Sequence, residues 1–315
     1  MRILITGGAG FIAYHLAARL QDEGFDVALL DNFNRFYDPA LKRKNVHDLQ
    51  ARGKIRLYET DILDSATLRR VFDQTRPQGI VHLAAWAGVR PSLENPEIYA
   101  SVNVTGTVNL LQLAREFGVE SFIFGSSSSV YGGNERVPFS EEDPVDRPVS
   151  PYAATKRAGE LLCHTYAHNY SMHITCLRFF TVYGPRQRPE MAIHKFSRLI
   201  REGIEIPVYG DGESRRDYTY VDDIIAGVVS AIRVNPKYEI INLGESRTTS
   251  LLGLISQLED ALGKKAARRY LPDQAGDMRI TYADIGKARR ILGYQPATPI
   301  EEGIRKFAAW FLATK

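Results

Sequence analysis

The sequence predicts an α/β protein built on a doubly wound parallel sheet with helices on both faces, followed by a smaller C-terminal α/β lobe. Three observations lead there. Short apolar runs recur with room for a helix between them, so strand and helix alternate through the first half of the chain. The first run breaks at a glycine-rich turn and resumes at helical spacing. After Arg178, proline and glycine become more frequent and the alternation weakens, which marks a second lobe. The main domain is expected over residues 1–178, with the chain returning to it around 217–246, and the second lobe mainly over 179–315.

Composition bounds the function. With 315 residues and 44% hydrophobic content, the chain can bury a sizeable core. Its 40 basic and 37 acidic residues are interspersed, a net charge of +3 without runs of one sign, so no nucleic-acid partner is expected. The two cysteines, Cys163 and Cys176, have neither metal-site spacing nor the company of a disulfide framework and are expected as buried thiols. No metal site is expected. The N-terminus lacks a signal-peptide pattern and no stretch is long enough to span a membrane, so the expectation is a soluble cytoplasmic protein with no membrane partner.

The elements follow in order. Arg2 to Thr6 reads as a strand, Gly7-Gly8-Ala9-Gly10 as a tight turn, and the pattern from Phe11 and Ile12 to Leu20 as a helix. Glycines there let backbone amides approach a pyrophosphate, and the helix turns its positive end toward the same group. Val27 to Leu30 forms a second strand ending in Asp31, about 20 residues on, where an acid binds the ribose diol of a dinucleotide. Asn32 follows it. The Asp31 carboxylate would repel a 2′-phosphate, which favours NAD over NADP. The third small position of the turn is Ala13, followed by a bulky Tyr14 with no assigned role. Residues 33–50 read as a loop and short helix beside the adenosine, with Phe36-Tyr37-Asp38 and the basic group Lys42, Arg43 and Lys44.

Ile55 to Tyr58 is the third strand and Gly79 to Ala85 the fourth. In a parallel sheet the ligand lies at the carboxyl ends of the strands, which places Asp61 and Ile62 at one such end and Leu83, Ala84 and Ala85 at another. Residues 94–117 read as one long helix containing Asn103. The strand Ser121 to Phe124 runs into Gly125 and four serines, and Ile174 to Arg178 is a sixth strand. Ile240 to Leu243 is expected to rejoin the main sheet.

Between them lies Ser150-Pro151-Tyr152-Ala153-Ala154-Thr155-Lys156. Residues four apart share a helix face, so Tyr152 and Lys156 lie together. A free phenol, with a pKa of about 10, is a poor base at neutral pH, whereas a nearby cation favours the phenolate. Ser127, at a strand's carboxyl end, can bond the same substrate oxygen. Ser127, Tyr152 and Lys156 thus form one candidate proton-handling unit.

Several of these motifs in this order resemble the extended short-chain dehydrogenase/reductase family, and within it the NAD-dependent nucleotide-sugar epimerases: Thr6-Gly7-Gly8-Ala9-Gly10-Phe11-Ile12, His82-Leu83-Ala84-Ala85, the serines before Val130-Tyr131-Gly132, Tyr152 with Lys156, Arg178-Phe179-Phe180, and Arg216-Asp217-Tyr218. The resemblance implies a Rossmann-type NAD-binding domain, a UDP-sugar lobe and a homodimer paired through the helices at 94–117 and Tyr152, whose amphipathic pattern would equally suit packing on the sheet. It implies that Tyr152 takes the proton of the sugar 4-hydroxyl while hydride passes from C4 to tightly held NAD. The 4-keto sugar then turns over and receives hydride on its other face. Ser127 would share the hydrogen bond, and Lys156 would bond the nicotinamide ribose and lower the pKa of Tyr152. Arg216 would meet the diphosphate, Asp277 the uridine ribose and Tyr209 the uracil; Gln274 stands where galactose-type relatives often have a second phosphate-binding arginine.

For the sugar, the stretches around Arg90, Thr181, Arg188 and Asn32 to Asp38 resemble UDP-glucuronate 4-epimerases, in which a C6 carboxylate would be met by Arg188 or Arg90 or bonded by Thr181. UDP-glucose or UDP-N-acetylglucosamine 4-epimerases remain the alternatives, with UDP-glucuronate decarboxylase or a non-enzymatic NAD-binding protein behind them. Decarboxylases and dehydratases of the family carry acids where this chain has Ser128 and Ser129, so elimination is disfavoured.

Overall fold

The computed structural model describes residues 1–272 and 279–314. In chain order the first half contains β1 (Arg2–Thr6), α1 (Phe11–Asp22), β2 (Asp26–Asp31), α2 (Pro39–Arg52), β3 (Arg56–Glu59), α3 (Ser65–Thr75), β4 (Gly79–His82), α4 (Val89–Glu94), α5 (Pro96–Tyr99), α6 (Gly106–Glu116), β5 (Ser121–Ser127), α7 (Pro151–Tyr170) and β6 (Ile174–Phe179). Then come β7 (Thr181–Tyr183), α8 (Ala192–Glu202), β8 (Ile206–Tyr209), β9 (Arg215–Arg216), β10 (Tyr218–Tyr220), α9 (Val221–Val234), β11 (Tyr238–Leu243), β12 (Thr249–Ser250), α10 (Leu251–Leu262), β13 (Arg268–Leu271), β14 (Ile280–Thr281), α11 (Gly286–Leu292) and α12 (Ile300–Ala313).

The main sheet has the order β11-β6-β5-β4-β1-β2-β3, and every neighbouring pair is parallel. Parallel strands need covered faces, because their crossovers put helices on both sides. Two apolar cores meet that need. One, containing Leu16, Leu20, Val81 and Val228, lies under α1 and α9; the other, containing Phe72, Leu110, Phe124 and Cys163, lies under α3, α6 and α7. Both cysteines are buried. The first core continues through Phe196, Leu254 and Phe307 into the helices α8, α10 and α12 of the smaller lobe.

The segment 94–117 departs from the sequence expectation of one long helix. α4 ends at Asn95, Pro96 opens α5, and Ala100–Thr105 forms a π-helical stretch before α6. Pro96 has no N–H to bond back across the break, and a π turn redirects the following side chains. β4 stops at His82, so Leu83 to Ala85 leave the sheet as a loop rather than extending the strand.

Candidate active site

The sheet order reverses between β1 and β4, and a crevice at the carboxyl ends of the strands is what such a reversal creates. A cavity of about 740 Å³ occupies it. Around its wall stand Gly7, Gly10, Phe11, Ile12, Asp31, Asn32, Asp61, Ile62, Leu83, Ala84, Ala85, Arg90, Ser127, Ser128, Tyr152, Lys156, Thr181, Arg188 and Arg216. Candidates scattered from residue 7 to residue 216 are thus brought to one chamber. Tyr209 is the exception among the described candidates: it does not line the cavity, and the Arg90 guanidinium sits over its ring, 5.4 Å from the centroid. Asp277 and Gln274 lie outside the described residues.

At one end the backbone is shaped for a close-lying ligand. Gly7 has φ +64°, and a Cβ there would come within 2.8 Å of the Ala84 amide, so only glycine fits the turn. α1 begins at Phe11 with no side-chain cap on its N-terminus and no acid in its first turn, which leaves its amide dipoles available to an anion. Asp31 accepts from the Ala9 and Phe33 amides at 3.1 and 2.8 Å, while Lys42 Nζ stands 3.9 Å away. Asn32 donates to Asp61 at 2.7 Å and bridges the ends of β2 and β3. These residues fit the pyrophosphate and adenosine ribose of a dinucleotide. Lys42 was not among the site candidates in the sequence. It is buried in this corner, and burial holds its ammonium below the usual lysine range, opposed by the Asp31 charge.

Deeper in the cavity, Ser150 caps α7 by accepting from the Ala153 amide at 3.1 Å, with Pro151 as the first helical residue. Buried Asn103 fixes the surroundings. Its side chain accepts from the Trp86 amide at 2.8 Å, and its Nδ2 donates to the Trp86 carbonyl at 2.9 Å and to Thr155 Oγ1 at 3.0 Å. Asn103 thereby clips the loop after β4 to the helix bearing Tyr152.

The electrostatics differ from the expected pattern. Burial pushes the Tyr152 phenol above its ordinary value, opposed by a hydrogen bond with Ser127 and then by the charge of Arg188. Lys156 stands on the next turn of the same helix. Its ammonium lies 6.0 Å from the Tyr152 ring centroid and donates to the Gly125 carbonyl at 2.7 Å. Desolvation lowers the Lys156 pKa to about 8, against the opposing charge of Glu160. One turn further along α7, Glu160 is itself buried and takes Arg178 on both oxygens at 2.8 and 2.9 Å, together with the Ser126 hydroxyl at 2.6 Å. A buried pair survives only when its hydrogen bonds are complete, and these tie α7 to β5 and β6.

On the opposite wall, Arg188 pairs with Glu190 at 3.2 Å and rests over the Phe36 ring at 5.4 Å. Phe36 was read from sequence as part of a loop, in the stretch Asn32 to Asp38 that resembles UDP-glucuronate 4-epimerases. Arg216 lines the cavity from β9 and donates to the Arg215 carbonyl at 2.9 Å. Thr181 is held in β7 by its amide N–H, which donates to the Asp217 carbonyl at 3.1 Å. The Ser129 hydroxyl is buried beside Ser127 and Ser128 without a protein partner.

The sequence profile of the NAD dependent epimerase/dehydratase family matches residues 3–244. The chain belongs to that family. This NAD-dependent epimerase, of the extended short-chain dehydrogenase/reductase type, takes NAD as its cofactor. A UDP-glucuronate 4-epimerase of Thermodesulfobacterium geofontis is 43% identical over 308 residues, 98% of this chain and 95% of that one. Among solved structures, the UDP-glucuronic acid 4-epimerase of Bacillus cereus, in complex with UDP-glucuronic acid and NAD, superposes with a TM-score of 0.93 at 35% identity over all of both chains. The UDP-glucose 4-epimerase of Thermotoga maritima with UDP-glucose gives 0.90 at 34% identity, covering 100% of this chain and 99% of that one. Among the described residues, no helix of this epimerase is long and apolar enough to cross a membrane.

Proposed function

We propose that this epimerase inverts C4 of a UDP-sugar, and that the sugar is UDP-glucuronate, converted to UDP-galacturonate through a transient 4-keto form. The observation that carries the reading is Arg188. Its guanidinium and the Tyr152 phenol line the same cavity, so a carboxylate on C6 of a sugar whose C4 hydroxyl meets Tyr152 would find a counter-ion in the same chamber. Thr181 and the serines of 126–129 surround the same space with neutral donors. The similarity to two proteins described as UDP-glucuronate 4-epimerases supports the assignment.

When bound, NAD would accept the hydride as NAD+ and return it as NADH. The chain does the rest. Tyr152 holds and returns the proton of the 4-hydroxyl, and Ser127 shares that hydrogen bond and favours the phenolate. Lys156 carries its charge at the floor of the site beside Gly125, where it can turn to a ribose hydroxyl. Ser128 and Ser129 occupy positions that hold acids in eliminating relatives, so these two side chains supply no acid strong enough to protonate a leaving hydroxyl. Residues 1–178, with the return through β11, would hold NAD, and 179–315 most of the UDP-sugar, with Arg216 on the diphosphate. The protein would work in the cytoplasm as a homodimer joined through the outer face of α7.

One observation favours a second reading, UDP-glucose or UDP-N-acetylglucosamine as substrate: Arg188 is already paired with Glu190, so a neutral C6 group would leave no bare charge. NMR of the purified enzyme with UDP-glucuronate, UDP-glucose and UDP-N-acetylglucosamine separates the two. UDP-glucuronate is expected to invert at least tenfold faster in kcat/KM than the others. Equal or greater turnover of a neutral sugar defeats the carboxylate reading, and a UDP-pentose as main product makes the enzyme a decarboxylase.

A further inference from the structure

Three consecutive residues after Pro185 leave the chain toward three different destinations. Arg186 reaches the cofactor side: its guanidinium stacks on the Tyr14 ring 3.8 Å from the centroid, and its two ends donate to Asn45 Oδ1 at 2.8 Å and Asp48 Oδ2 at 2.7 Å. Gln187 is buried and fastens to the other side. Its Nε2 donates to the Val182 carbonyl at 3.2 Å, and its own carbonyl meets His194 Nδ1 at 2.6 Å. Arg188 turns into the cavity. The segment is therefore a strap strung between the two halves of the molecule, with the candidate sugar-facing arginine at its end.

The strap is connected to the dinucleotide turn through one relay. Asn45, which receives Arg186, donates from Nδ2 to the Ala9 carbonyl at 3.0 Å, and the Ala9 amide is held by Asp31 at 3.1 Å. Next to it the Pro185 carbonyl meets His15 Nε2 at 2.9 Å. Arg186 has a left-handed backbone, φ +68°, an unfavourable conformation for a non-glycine residue that persists only where surrounding contacts hold it. A planar guanidinium suits the site, since stacking and two divergent hydrogen bonds are made at once.

We propose that Arg186 is a positioning residue that bolts this strap over the dinucleotide turn, keeping NAD in place through the catalytic cycle. An epimerase regenerates its NAD at every turnover, so fastening the cofactor costs no step in the reaction. The same contact gives Tyr14 a purpose, as the platform beneath the bolt. The inference rests on the reading that the turn at Gly7 to Gly10 holds NAD and is independent of which sugar is inverted.

The test is the rate of NAD release from purified holoenzyme, followed by exchange of labelled for unlabelled NAD, with melting of the NAD-stripped protein as the control for folding. Arg186→Met, which keeps the stem and loses the fork, is expected to release NAD at least tenfold faster while the stripped protein melts near the wild type. Arg186→Lys should recover part of the retention through Asp48, and Asp48→Asn should also speed release. Wild-type release rates in folded Arg186→Met and Asp48→Asn overturn the proposal, as does a loss confined to the melting of the stripped protein. If Arg186→Met does not fold, the release rate of Asp48→Asn decides alone.

Discussion

Arg188 sets two properties of the cavity at once: the charge offered to a substrate and the proton affinity of Tyr152. Burial raises the phenol, while the Ser127 hydrogen bond and the Arg188 charge lower it, so removing the arginine moves the group that must lose its proton upward. Arg188→Met should shift the rising limb of kcat/KM for UDP-glucose to higher pH, because the basic form of Tyr152 then appears only at higher pH. For UDP-glucuronate it should also raise KM at least tenfold, since a charged hydrogen bond is worth about 1.5–3 kcal/mol. Steady-state kinetics of both sugars across pH checks both effects. Equal KM losses for the two sugars would move Arg188 to phosphate binding. The pairing of Tyr152 with Lys156 was legible from spacing, because one helical turn brings the two together. That Arg188 also brings a charge to the phenol was not legible. Lysine on the same helix points its ammonium to the Gly125 carbonyl, and the arginine arrives from a different segment.

β4 illustrates how an element can carry a charge-sensitive joint. His82 at its end is fully enclosed, with Thr6 Oγ1 2.7 Å from Nδ1 and Thr107 Oγ1 3.0 Å from Nε2. Thr107 spends its own hydrogen on the Asn103 carbonyl at 2.6 Å, and Thr6 Oγ1 accepts from the Ala84 amide at 3.3 Å. The consistent arrangement is a neutral ring donating from Nε2 to Thr107 and accepting at Nδ1 from Thr6. Burial, and then the charge of Lys156, lower the pKa of His82 from 6.5 to about 3. A depressed histidine pKa means that the unfolded chain takes up its proton first as pH falls. The stability is therefore complete above pH 6.5 and is lost between 6.5 and 3. In urea unfolding, the wild type should lose about 2 kcal/mol more between pH 7 and 5 than His82→Gln does. Parallel losses would mean that another group titrates there. Strand and helix positions were largely visible in the sequence, since period and length are local properties. The break at Asn95 and the π turn before Gly106 were not, although Pro96 marked the place. Apolar periodicity runs through both, and the geometry answers to tertiary contacts such as Asn103 with Trp86 and Thr155.

Seen as one body, the molecule leaves an apolar side chain of α7 outside its two cores. On α7 the inward positions Ala153, Lys156, Gly159, Glu160 and Cys163 are buried, whereas Leu161, on the other side of the helix, is 52% exposed. A helix apolar on both sides suits a buried position, and a second copy of α7 would cover the outer one. Light scattering should report twice the monomer mass, and Leu161→Arg should shift the protein to monomer at micromolar concentration. A monomeric wild type would remove the dimer from the proposal.

The motifs that point to the chemistry are local: the glycine turn, Asp31 and the helical Tyr152–Lys156 pair lie within one or two elements, so each spacing is a weak signal that gains force from the order of the motifs and from Ser127. Contacts between remote segments leave no such spacing. Arg186 meets Asn45 across 141 positions and Asp48 across 138, Phe36 comes under Arg188 from another loop, and Arg90 is drawn to Tyr209. Residue identity was enough to list many residues of the cavity wall, though it missed Lys42 and included Tyr209, because each motif owes its form to its neighbours in the chain. Their assembly into one cavity, with its charges and its strap, required the parallel sheet to bring the carboxyl ends of its strands together and the second lobe to close over them.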